Sequence, residues 1–106
     1  MGAFYATNKD DGSCASLSLS ATTSAQLATL PVSKGNNLRV QTEVGSAVFI
    51  RFGTSSVVAT TADGGWDYII PGGIVETLAI ASADTHMSYL VASGTNTIRL
   101  SRGEGI

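Results

Sequence analysis

The one histidine, His86, and Asp84 two residues before it are the side chains in this sequence best spaced for acid–base chemistry. In a strand that spacing puts both on one face, where a carboxylate orients an imidazole for proton transfer. A hydrolase needs in addition a nucleophile within reach of the base. The chain contains no Gly-x-Ser-x-Gly elbow, His-Glu-x-x-His, Cys-x-x-Cys, phosphate-loop or dinucleotide fingerprint. Asp84 and His86 therefore read as a satisfied surface pair. The acidic turns at 10–12 and 63–67 approach calcium-loop chemistry, yet neither carries the several regularly spaced oxygen ligands such a loop needs. Cys14 is alone, so it closes no internal disulfide. The expectation is a protein that is not an enzyme and has no metal or cofactor site.

The aromatic residues suggest contact instead of catalysis. Trp66, Tyr68 and Tyr89 are the side chains a sugar platform on a β-sandwich would use. Strand alternation places Trp66 and Tyr68 on the face of Ile70, which points to core or subunit contact. Phe49 falls beside Arg51 on the outward side of its strand, as though that side met another surface. Phe4 and Tyr5 lie in residues 1–14, which show neither helical nor strand periodicity and read as an N-terminal arm able to dock on a neighbour. The candidate assembly contacts are therefore Phe4, Tyr5, Phe49, Trp66 and Tyr68.

The elements that position these residues are strands. From Ala15 to Ser20, Leu17 and Leu19 alternate with serines. Leu38, Val40 and Thr42 oppose Arg39, Gln41 and Glu43. Val48, Ile50 and Phe52 oppose Phe49 and Arg51. Further runs follow at 56–60, 66–70, 74–80, 86–92 and 97–101, where Ile98 and Leu100 face inward, and a polar tail begins at Arg102. Residues 26–30 are ambiguous, since Pro31 limits helix there. Gly, Pro, Asn and Asp separate the runs at roughly 8–12-residue spacing, and no helical repeat is sustained. The expected fold is all-β: an antiparallel β-sandwich or jelly-roll-like barrel of seven to eight short strands. It occupies 15–106 as one domain behind the extended arm of residues 1–14.

Composition narrows the partners. The chain has 106 residues, 13% of them charged, against roughly 25% in ordinary soluble domains. Six scattered Lys and Arg and a pI near 5 offer no basic stripe for nucleic acid. No apolar run approaches the roughly 18 residues of a membrane helix, and the first dozen residues lack a basic start and an apolar stretch. Synthesis in a cytosol without export is the expectation. A small domain with so few charges is expected to cover part of its exterior by association, as a closed homo-oligomer, a trimer being favoured, or on a larger scaffold.

The words Asn37-Leu38-Arg39-Val40, Val48-Phe49-Ile50-Arg51-Phe52-Gly53, Val58-Ala59-Thr60, Ile70-Pro71-Gly72-Gly73 with Glu76, Tyr89-Leu90-Val91-Ala92 and Ile98-Arg99-Leu100-Ser101-Arg102-Gly103-Glu104-Gly105 together resemble small virion structural proteins of tailed bacteriophages. The resemblance covers roughly residues 38–105. It implies a β-sandwich subunit, most of all a capsid decoration or cement protein. Such a protein is made in the host bacterial cytoplasm, resides in the virion and clamps the major capsid protein. A head–tail connector, tail or fibre-base subunit is the alternative within that class, and a carbohydrate-binding β-sandwich using Trp66 and Tyr68 is the alternative outside it. No site residues carry over from the resemblance.

Overall fold

The computed structural model describes residues 5–6, 16–31 and 36–104. They form nine strands, and no helix occurs among them: β1 (Tyr5–Ala6), β2 (Ser16–Ala21), β3 (Gln26–Thr29), β4 (Asn37–Thr42), β5 (Val48–Gly53), β6 (Tyr68–Ile70), β7 (Val75–Ala79), β8 (His86–Val91) and β9 (Asn96–Glu104). All pairings are antiparallel and make two sheets. The first has the order β2-β9-β4-β7, and β1 continues the line of β2 along β9, with Ala6 opposite Gly103 and Ser16 opposite Ser101. The second has the order β3-β8-β5-β6.

The pairing is nested. β5 pairs with β6, β4 with β7, β3 with β8 and β2 with β9. The chain is thus one long antiparallel ribbon that doubles back at 54–67 and is rolled so that β4 also meets β9 and β5 also meets β8. The reason lies in the alternation. Each of β2 to β9 places at least one buried apolar residue on one side, and rolling the ribbon turns these sides toward one another. A single core cluster forms from Leu38, Val40, Ile98 and Leu100 of the first sheet and Val48, Ile50, Ile70, Met87 and Val91 of the second. Each such side chain contributes about 1.5–3 kcal/mol by leaving water.

Several sequence expectations are corrected. The ambiguous run at 26–30 is strand β3. The expected tail is strand, because β9 continues to Glu104 between β4 on one side and β2 and β1 on the other. Arg102 faces inward there, buried, and donates to Pro31 O at 3.1 Å. Of the expected arm, Tyr5 and Ala6 are paired strand, and residues 1–4 and 7–14 lie outside the described residues.

The β-branched run at 56–60 is not a strand. It belongs to the connection at 54–67, which folds over the outer side of the second sheet. Its buried Ala59 N–H donates to the Ser88 hydroxyl at 2.8 Å, and the Arg51 guanidinium donates to Val58 O at 3.3 Å. This cover explains why Ser88, whose side chain points away from the core, is only 1% exposed. Ser88→Ala is expected to leave the Ala59 N–H buried without a partner, at a cost of about 1–3 kcal/mol. Urea denaturation measures it, and an unchanged midpoint would show that the cover does not depend on this bond.

Candidate functional site

The outer side of the second sheet gathers most of the large apolar side chains that remain in solvent. Leu27 on β3 is opposite Ser88, which is opposite Arg51; one rung away, Leu90, Phe49 and Ile69 stand side by side across β8, β5 and β6. Leu27 is 46% exposed, Ile69 40% and Val58, in the covering connection, 55%. Trp66 leans edge-on against Phe49, with ring centroids 6.2 Å apart and planes at 68°, an arrangement such rings favour beyond simple burial.

Phe49 and Trp66 are thus brought together on this side. Tyr68 is not with them. Its ring turns inward against Phe52, centroids 6.0 Å apart and planes at 71°, and packs on the core. Its hydroxyl donates to Ala79 O at 3.2 Å, tying β6 to β7 of the other sheet. The expectation that Trp66 and Tyr68 share a face is therefore overturned, and the cause is Asp67. Its N–H donates to Ile50 O at 2.7 Å and its carboxylate accepts the Phe52 N–H at 2.9 Å. The side chain takes a bond that a ladder carbonyl would otherwise make, so alternation stops at Tyr68 and Trp66 leaves on the opposite side. A sugar platform made of Trp66 and Tyr68 has no geometric basis. Phe4 lies outside the described residues, as does the Tyr5 side chain.

Asp84 and His86 do not pair. The Asp84 carboxylate accepts the Ala81 N–H at 3.0 Å and closes the turn before β8. The His86 ring engages the Thr85 hydroxyl at 2.8 Å and the Thr29 hydroxyl at 3.4 Å. Asp67 is likewise occupied with backbone. Among the described residues no three His, Cys, Asp or Glu side chains converge as metal ligands. Cys14 and the 10–12 turn lie outside the described residues. Tyr89 is held in the core, where desolvation raises its phenol above the ordinary value and keeps it neutral.

The outer side of the first sheet contrasts with this. It presents Ser16, Ser18, Arg39, Gln41, Thr77, Arg99 and Ser101, and Arg99 makes an ion pair with Glu43. The two outer sides therefore differ in kind, largely apolar and aromatic on one, hydroxyl and guanidinium around a single exposed Val75 on the other. Leu27, Val58 and Ile69 escape sequence reading because each sits in a run whose neighbours look inward or ambiguous. The pattern around Phe49 is the one signal that pointed to this side. Compared with known proteins, the chain matches no family model, no curated protein and no solved structure.

Proposed function

We propose that this chain is a non-enzymatic structural subunit of a tailed-bacteriophage virion, a capsid decoration or cement protein that oligomerises on the head and stabilises it. The observation that carries the reading is the apolar outer side of β3-β8-β5-β6, with Leu27, Phe49, Val58, Trp66 and Ile69 at one surface. A rigid sheet bearing an aromatic pair suits recognition of a second protein surface, because little freedom is lost when it is covered. The strand order and nested pairing are those of an eight-stranded jelly roll, an architecture met in viral capsid and lectin domains. One fold serves many activities, so the weight rests on the surface.

The partners are copies of the chain, in a closed ring such as a trimer, and the major capsid protein beneath them. Sedimentation velocity on the wild type is expected to show an oligomer, and the protein is expected to bind expanded capsids that lack it. Ile69→Lys is expected to weaken association at least ~10-fold, a change of about 1.4 kcal/mol, with an unaltered circular dichroism spectrum. A wild-type protein that stays strictly monomeric and ignores such capsids overturns the reading. Copy number separates decoration, at hundreds per particle, from a connector or tail subunit, at about a dozen or fewer.

A further inference from the structure

We propose that the outer side of the first sheet is a binding groove for an acidic sugar, a ligand that carries a carboxylate next to ring hydroxyls. Strand register sets two rungs side by side: Ser16, Ser101, Arg39 and Thr77 across β2, β9, β4 and β7, then Ser18, Arg99, Gln41 and Val75. A depression of about 280 Å³ lies among Arg39, Gln41, Val75, Arg99 and Ser101. A second, of about 520 Å³, shares Gln41, Arg99 and Ser101 with it and extends over Ser16 and Ser18. Together they make one shallow groove that crosses the strands.

Two features select the ligand. Arg39 is opposite Ser101 and Arg99 is opposite Gln41, so the two arginines stand on a diagonal of the β4–β9 pair, where such positions are roughly 7–8 Å apart. From positions that close, the two long side chains can both reach one carboxylate and hold it through charge-assisted bonds to each. The protein already displays this chemistry, since the Glu43 carboxylate rests on Arg99 at the edge of the groove, with both side chains half exposed. Beside the arginines, three serine hydroxyls and the Gln41 amide each donate and accept, as ring hydroxyls require. A bare anion would use the arginines alone, and a neutral sugar the hydroxyl and amide groups alone; an acidic sugar uses both. Two arginines are too few to follow a nucleic-acid backbone.

Both guanidinium groups have partners in the free protein. Binding therefore exchanges contacts and is weak at one site. The groove lies on the opposite side of the molecule from Trp66, so it stands or falls apart from the assembly reading.

The test is an NMR titration of the whole chain with an oligoglucuronate, a neutral glucose oligomer of equal length, and sodium sulfate. The expected result is saturable binding of the oligoglucuronate with shifts confined to β2, β4, β7 and β9. Arg39→Gln and Arg99→Gln are each expected to weaken it ~10-fold, through loss of a charge-assisted bond pair. Glu43→Gln is the diagnostic variant: by freeing Arg99 it is expected to tighten binding ~3-fold, the scale of one exposed ion pair. All three variants are expected to keep the wild-type melting temperature. An equal response to the neutral oligomer, an equal response to sulfate, shifts centred on Trp66, or weaker binding by Glu43→Gln would each overturn the proposal.

Discussion

Ile50→Asp is expected to leave no folded protein at room temperature. Ile50 is fully buried in β5, which runs between β8 and β6, and it belongs to the core cluster that joins the two sheets. Losing the aliphatic side chain costs about 2–5 kcal/mol. The carboxylate that replaces it has no buried cation opposite, and an unpaired buried charge adds several kcal/mol more. Domains have only about 5–15 kcal/mol of stability in total, so the two losses together exhaust it. Val48→Asp, two residues earlier and equally buried, is expected to do the same. Far-UV circular dichroism and a thermal melt measure both, and a native-like melt for either would mean that the inward side of β5 is wrongly assigned.

The second large effect is expected at Asn96, where a polar side chain is buried for a reason. Its amide oxygen accepts the Glu43 N–H at 3.0 Å, and its amide nitrogen donates to Glu43 O at 3.0 Å and Ser46 O at 2.7 Å. One side chain at the start of β9 thus organises the connection from β4 to β5. That connection has no slack. A Cβ on Gly72 would lie 2.2 Å from Gly45 O, so the 71–74 turn is pressed against it. Asn96→Ala removes three bonds but strands only Ser46 O, because the Glu43 N–H keeps Thr97 O at 3.2 Å and Glu43 O keeps the Gly73 N–H at 2.8 Å. The expected cost is about 1–3 kcal/mol, read as a lower urea midpoint with an unchanged slope. Asn96→Asp keeps the shape but turns a donor into a second acceptor facing those carbonyls, and is expected to cost at least as much. A loss under about 0.5 kcal/mol for Asn96→Ala, the range of an ordinary surface change, would sink this account.

These two positions also show what sequence reading reaches. Ile50 is legible because alternation over 48–52 has only one arrangement that buries three apolar residues together, and the same holds for Leu38 with Val40 and for Ile98 with Leu100. Asn96 reads as part of the turn at 93–96, since nothing local reveals that its amide matches three groups some fifty residues earlier. The run at 56–60 has strand chemistry, but its Ala59 N–H goes to the Ser88 hydroxyl and those of Val57 and Thr60 go to Thr54 O and Gly65 O inside the same connection. Trp66 is misplaced for a similar reason: Asp67 interrupts the ladder with a side-chain bond, which periodicity does not register. Phe49 was readable as outward, whereas its partners Leu27 and Ile69 depend on knowing that β3, β8, β5 and β6 are neighbours. Arg39 and Arg99 face the same way for the same reason, through a register that joins distant parts of the chain.

The nested ribbon bears on how quickly such a chain can find its shape. β2 and β9 are far apart in sequence, and contacts of that kind ordinarily make β proteins slow folders, because a long loop must close before it is rewarded. Nesting divides that closure into steps. Once β5 has met β6 around the 54–67 turn, β4 and β7 have only the connections 43–47 and 71–74 left to order, and β3 with β8, then β2 with β9, follow across connections that are already anchored. Closure entropy grows with the logarithm of the open loop, so each step meets a short loop in place of the whole intervening chain. The tip at 54–67 is thereby expected to start a zipper, and the β2–β9 pair, which forms one side of the hydroxyl and guanidinium groove, is expected to close last and open first.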